Sequence, residues 1–69
     1  MMNYFKFFTE IWRFFKKYYN RPGKEQDYEE SVRECSQLAK SFGNGKFVNQ
    51  VCMAALEELE RCWKGREEA

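Results

Sequence analysis

The stretch that decides the fold lies at residues 3–20 and reads NYFKFFTEIWRFFKKYYN. Its apolar residues recur every three or four positions rather than in alternation, and at about 100° per residue they fill one half of a helical cylinder. The other half is polar and mostly basic, and consists of Lys6, Thr9, Glu10, Arg13, Lys16 and Lys17. The pattern predicts an amphipathic helix over residues 3–20.

Two clusters of turn-forming residues, Arg21-Pro22-Gly23 and Gly43-Asn44-Gly45, divide the remainder of the chain. Apolar residues keep a helical spacing after each cluster, which predicts further helices over residues 27–42 and 45–64. The fold class is therefore all-α, a small three-helix bundle formed as a single domain by residues 1–69.

The ends of the predicted helices follow from particular residues. We expect Asp27 to begin the second helix as its N-cap, with Glu30 completing a capping box. Gly43 is suited to the left-handed position after the second helix, and Gly65 is the expected stop of the third. The tail at residues 66–69 carries no apolar anchor, so we expect it to fray.

Composition argues for binding rather than catalysis. A chain of 69 residues with 43% apolar content is globular but too short for a deep private cleft. Histidine is absent, which removes the usual general base and the commonest metal ligand. The cysteines Cys35, Cys52 and Cys62 have no paired spacing, so neither a disulfide framework nor a zinc site is indicated. We expect no enzyme activity, cofactor, metal or small-molecule substrate.

The N-terminal sequence bears on the cellular location of the protein, and the distribution of charge bears on the partners it can bind. No signal peptide or membrane-spanning run is evident, and reduced thiols fit a cytoplasmic protein. The net charge of +1 divides into +5 over residues 1–24 and −4 over residues 25–69. Helices two and three superficially resemble a helix-turn-helix, but Glu57, Glu58 and Glu60 would face phosphates, so DNA binding is not expected.

The first helix holds nine of the thirteen aromatic residues, and its apolar arc is wider than one core-facing helix needs. One interpretation is that bulky rings simply fill a small core. The other is that one seam faces the core and the other binds a partner. The sequence does not decide between the seams, and we assign the core seam to Phe5, Phe8, Trp12, Phe15 and Tyr19. The assigned protein-binding residues are then Tyr4, Phe7, Phe14 and Tyr18 with the basic side chains Lys6, Arg13, Lys16 and Lys17.

Three kinds of partner suit such a surface. A different protein could be bound and inhibited, or a second copy could pack against the surplus rings and form a homo-oligomer. A basic amphipathic helix with Trp and Phe is also typical of a peripheral binder of anionic membranes. If the binding seam is assigned correctly, serine at Phe7 and Phe14 should dissociate an oligomer without unfolding it.

A further pointer comes from motifs distributed along the chain. IWRFFKKYY at residues 11–19, the acidic start of the second helix, and LEELE at residues 56–60 together resemble short uncharacterised helical proteins of prophages and integrative elements in Gram-positive bacteria. The resemblance carries over no catalytic residue. It implies a small mobile-element accessory protein that works by binding host or rival proteins.

Overall fold

The computed structural model describes residues 2–68 and contains three helices, α1 (Tyr4–Tyr19), α2 (Glu25–Ser41) and α3 (Lys46–Glu68). The chain runs up, down and up, so that α1 and α3 point the same way. Tyr4 meets Phe47 at one end, and Trp63 meets Tyr18 at the other. The predicted small all-α three-helix bundle is confirmed. The molecule is elongated, 43 × 19 × 17 Å, because the helices lie along one axis.

The first helix is closed at both ends by asparagine. Oδ1 of Asn3 accepts a hydrogen bond from the Lys6 amide at 3.0 Å, which satisfies one of the free amides of the first turn. At the other end, Nδ2 of Asn20 donates to the Lys16 carbonyl at 2.9 Å. Pro22 follows and cannot continue the helix, so the chain turns towards α2.

The second helix begins earlier than predicted, with Lys24 rather than Asp27 at the N-cap. Asp27 occupies the third helical position, and its Oδ2 accepts from the Lys24 amide at 3.0 Å and the Gly23 amide at 3.2 Å. The carboxylate thus caps the helix by reaching back one turn, which lets Glu25 be the first helical residue. The identification of Asp27 as the N-cap was wrong by three positions.

The turn after α2 agrees with the prediction. Gly43 adopts a φ of +90°, and its amide bonds the Lys40 carbonyl at 3.1 Å. Asn44 continues in the left-handed region at a φ of 56°, which asparagine tolerates better than most residues. The positive φ of Gly43 confirms it as the left-handed residue that ends the helix.

The third helix does not stop at Gly65 but continues to Glu68, which corrects the predicted boundary at residue 64. A glycine inside a helix costs about 1 kcal/mol relative to alanine. Contacts of the next residue offset that cost, because the Arg66 guanidinium donates to the carbonyls of Tyr19 and Arg21. Arg66 is therefore held against α1 rather than frayed, and Ala69 of the predicted tail lies outside the described residues.

The core runs along the bundle axis and takes residues from every helix. Its buried members are Phe7, Phe14, Tyr18, Cys35, Ala39, Val48, Cys52, Leu59 and Trp63. Trp63 Nε1 donates to the Tyr18 carbonyl at 3.2 Å, so that the largest buried side chain also satisfies the polar end of α1.

Candidate protein-interaction surface

Most residues of the two aromatic seams of α1 have the opposite role to that predicted; the exceptions are Tyr4, which is exposed as predicted, and Phe15, which packs partly against the core as predicted. Phe7, Phe14 and Tyr18 are buried in the core, with Phe7 fully inaccessible, so they cannot present a docking face. Of the four aromatic residues assigned to partner binding, only Tyr4 is exposed. The assignment of Phe7, Phe14 and Tyr18 was wrong, and serine at Phe7 or Phe14 would remove core packing.

Ion pairs with α2 accompany this rotation of α1. Lys17 Nζ lies 3.3 Å from a Glu34 oxygen, and Arg21 Nη1, in the α1–α2 connection, lies 3.2 Å from Asp27 and 3.1 Å from Glu30. The Lys17 edge of α1 therefore lies beside α2, although exposed pairs of this kind contribute little energy. The adjoining seam of Phe7, Phe14 and Tyr18 then faces the axis, and the next seam around the helix faces outwards.

We call the second seam the outer seam; its exposed members are Phe5, Phe8, Trp12 and Tyr19, and its fifth member, Phe15, packs partly against the core. Phe5 is 82% exposed and Trp12 is 61% exposed, while Phe15 is half-buried. Their successive spacings of three, four, three and four residues are those of the a and d positions of a coiled coil. A partner helix with apolar residues at matching spacing could pack along this line.

One end of the outer seam is extended by α3. The Phe47 ring meets Tyr4 edge-on at 5.8 Å between centroids and Phe8 at 6.0 Å. Phe47 is itself exposed. Phe47 is not among the residues predicted for this surface; the signal in the sequence is its position directly before the core residue Val48, which places Phe47 at the edge of the core stripe of α3.

The other end of the outer seam is held rigid by stacking. Phe15 and Tyr19 lie 5.8 Å apart at an interplanar angle of 25°. The Arg66 guanidinium sits 4.5 Å from the centroid of the Tyr19 ring, in cation–π contact. Arg66 is a second residue that the sequence analysis missed, because its partner is 47 positions away along the chain.

The four predicted basic residues do not form one patch. Lys17 pairs with Glu34, and Lys6 lines the α1–α2 groove with Glu10. Arg13 is exposed and pairs with Glu10 at 3.5 Å, a contact of little energetic value. Lys16 lies one turn after Trp12, at the rim of the outer seam, and forms no ion pair with any residue that the structure describes. Only Lys16 combines an unpaired charge with a place beside the exposed rings.

The thiols of Cys35 and Cys52 belong to the core. Burial raises the pKa of Cys35 to about 12, and burial also raises the pKa of Cys52. Cys35 Sγ donates to the Cys52 carbonyl at 3.4 Å. Protonated thiols at neutral pH are weak nucleophiles, so these cysteines serve as packing residues.

The concave surfaces are open grooves between helices. One groove of about 410 Å³ lies between α1 and α2 and is lined by charged and apolar residues together. A smaller groove of about 210 Å³ between α2 and α3 is lined largely by apolar and thiol side chains, including Val32, Cys52 and Met53. Among the side chains of residues 2–66, no three acidic, cysteine or histidine groups lie together as metal ligands would.

A search for helices with the length and apolar character to cross a bilayer finds none in the described part of the chain. Comparison with protein-family models, curated proteins and solved structures finds no match. The resemblance to prophage-encoded helical proteins therefore stays a prediction.

Proposed function

We propose that the chain is a non-enzymatic protein-interaction module that binds its partner along the outer seam of α1. The observation that carries this proposal is the exposure of Phe5 and Trp12 at helix-packing spacing on a rigid helix. Large aromatic side chains lose little conformational entropy when bound and dominate interface energies. A folded chain gains nothing for its own stability from leaving such rings in water.

The partner that suits this surface is a helix with its own apolar seam. Aromatic residues at Phe5, Phe8 and Trp12 would act as successive anchors, in the manner of helix-in-groove recognition. A carboxylate on the partner would meet Lys16 at the rim. A host or rival protein of a mobile element, as the resemblance implies, is one partner of this kind, and the outcome for it could be inhibition.

The test compares immobilised wild-type chain with the variant Phe5→Ser/Trp12→Ser in an extract of the source cell. Val32→Ser/Met53→Ser is the matched control, because both residues are exposed and apolar but lie on the α2–α3 side. A protein retained by the wild type and the control is then purified and titrated. We expect the outer-seam variant to bind it at least 100-fold more weakly, on the order of two lost hot spots.

Circular dichroism and thermal unfolding of all three chains establish that the variants are folded. Equal binding of the purified partner by the wild type and the outer-seam variant would contradict the proposal. If only the control Val32→Ser/Met53→Ser lost binding, the partner would bind the α2–α3 side of the bundle rather than the outer seam.

A second candidate function is peripheral binding to anionic membranes, which the adjacency of Trp12 and Lys16 favours. Vesicles of phosphatidylglycerol and phosphatidylcholine would then retain the wild type at low salt and release it as salt is added. Trp12→Ser should abolish retention and Met53→Ser should not. Absence of retention by phosphatidylglycerol vesicles at low salt would rule out this function.

A further inference from the structure

We infer that the partner of the outer seam is a second copy of this chain, packed with its α1 antiparallel to the first. This inference rests on the proposed function, because it identifies the occupant of the same surface. Three features support it, namely the symmetry of the seam, the placement of charge and the area of exposed ring.

The outer seam is nearly symmetric about Trp12. Phe5 and Tyr19 each lie seven residues from Trp12, and Phe8 and Phe15 lie four and three residues from it. A two-fold axis near Trp12 would therefore place the Phe5 end of one seam along the Tyr19 end of the other. Such self-complementarity is what an isologous dimer interface requires.

Charge favours self-association more than the sequence suggests. The basic excess of residues 1–24 is partly neutralised within the same chain, because Lys17 pairs with Glu34 and Arg21 pairs with Asp27 and Glu30. Lys16 is the cation left at the rim of the seam among the described residues of α1. In an antiparallel pair the two Lys16 residues would lie about 12 Å apart along the helices, where salt screens their repulsion.

A parallel arrangement would be less favourable. It would place Lys16 of one copy beside Lys16 of the other, and like charges at close range oppose association. The antiparallel arrangement instead brings each Lys16 towards the Phe8 end of the other copy, where an ammonium group can contact an aromatic face.

The exposed area is sufficient for a stable dimer. Six side chains of this face are 44–82% exposed, namely Tyr4, Phe5, Phe8, Trp12, Tyr19 and Phe47. Since each aromatic side chain can bury about 150–250 Å², the six offer roughly 500–800 Å² per copy. A standard specific interface buries about 800 Å² per partner, so these rings alone supply most of it.

The experiment is light scattering behind size-exclusion chromatography, with the wild type loaded over a hundredfold concentration range. We expect a mass of twice the 8.4 kDa chain at the upper concentrations. Trp12→Glu should weaken dimerisation at least about 30-fold, as loss of a central hot spot does. Met53→Glu is the matched control, since Met53 is also 61% exposed, and it should dimerise as the wild type does.

A second substitution guards against unfolding as the cause of dissociation. Phe5 is more exposed than Trp12 and lies in the first turn of α1, so Phe5→Glu should also yield monomers while far-ultraviolet circular dichroism remains helical. The orientation is tested with Phe5→Cys and Tyr19→Cys chains that also carry Cys62→Ser, because the native Cys62 thiol is only partly buried. In an antiparallel dimer, oxidation should cross-link a mixture of the two chains but neither chain by itself. In a parallel dimer, oxidation would cross-link each chain by itself.

The outcomes separate this inference from the proposed function. A wild type that stays monomeric throughout, or a dimer that Trp12→Glu and Phe5→Glu leave intact, would overturn the second copy as occupant. A monomeric chain that still captures another protein through Phe5 and Trp12 would leave the proposed function standing. A dimer that the two substitutions disrupt supports both.

Discussion

Gly23 lies where the α1–α2 connection touches α3, and its lack of a side chain is required there. A Cβ atom built on Gly23 would lie 2.3 Å from Trp63 Cγ, and the backbone φ is +84°. The steric overlap and the left-handed backbone conformation both make any residue other than glycine unfavourable at position 23. The connection can thus pass directly over the indole whose Nε1 bonds the Tyr18 carbonyl.

We predict that Gly23→Ala lowers the free energy of unfolding by about 2–4 kcal/mol, through steric overlap and backbone strain together. Gly65→Ala is the control, because nothing lies within 4 Å of its built Cβ and the residue is helical. There we expect stabilisation of about 0.5–1 kcal/mol. Urea unfolding measures both values, and a neutral Gly23→Ala would contradict the packing of Trp63 described here.

Phe7 and Phe5 lie two positions apart on α1 but have opposite environments. Phe7 is fully buried and contacts the Phe42 ring at 5.1 Å, whereas Phe5 is 82% exposed. We predict a loss of about 3–5 kcal/mol for Phe7→Ala, which creates a cavity. Phe5→Ala should cost less than about 0.5 kcal/mol when measured in the monomer. If urea unfolding gave the same loss of unfolding free energy for Phe7→Ala and Phe5→Ala, α1 would not present Phe7 to the core and Phe5 to solvent as described here.

At the scale of the helical element, Asp27 organises the start of α2. The backbone amides of Lys24 and Gly23 and the Arg21 guanidinium hold the pKa of Asp27 below its ordinary value. A lowered pKa means that the folded chain favours the carboxylate more than the unfolded chain does. The resulting stability is present above the unfolded pKa, about 4, and is lost as the pH falls through the folded pKa.

We therefore predict that the melting temperature of the wild type falls between pH 6 and pH 2 by more than that of Asp27→Asn. Glu57→Gln, which alters an exposed acid of α3, should keep the wild-type pH dependence. Thermal unfolding followed by circular dichroism at a series of pH values provides the comparison. If the melting temperatures of the wild type and Asp27→Asn changed in parallel with pH, the Asp27 carboxylate would not be the group that caps α2.

Local signals were sufficient to predict the number of helices. Proline, glycine and asparagine clusters mark both connections, and the positive φ of Gly43 follows from a glycine placed directly after the last apolar residue of the predicted second helix. The start of α2 was misplaced because Asp27 suits either the N-cap or the third helical position. The end of α3 was misplaced because the contacts of Arg66 with α1 come from residues 45 and 47 positions away.

The interaction surface was less predictable than the fold. The inner residues Phe7, Ile11, Phe14 and Tyr18 and the outer seam are all bulky and apolar, and both sets alternate spacings of three and four residues. Sequence periodicity cannot distinguish two such stripes on one helix. The packing of α1 against α2 and α3 distinguishes them, with Lys17 placed beside Glu34, and this packing exists only once the helices have assembled.

For the whole molecule, we propose that one stripe of α1 serves folding and the other serves binding. The inner stripe packs with α2 and α3 in one small core, and most of the outer seam is exposed. A 69-residue chain has limited apolar area to bury by itself. Association through this face would bury roughly 500–800 Å² of ring surface per copy, most of the about 800 Å² per partner in a standard interface; this links dimerisation to stability.

The most direct test of this division is acrylamide quenching of Trp12 fluorescence as the chain is concentrated. The spectrum of Trp12→Phe, in which only the buried Trp63 emits, is subtracted at each concentration. We predict strong quenching of Trp12 in dilute solution and protection with a blue shift as the dimer forms. Trp12 that remains fully quenched while the mass doubles would contradict the outer seam as the contact surface.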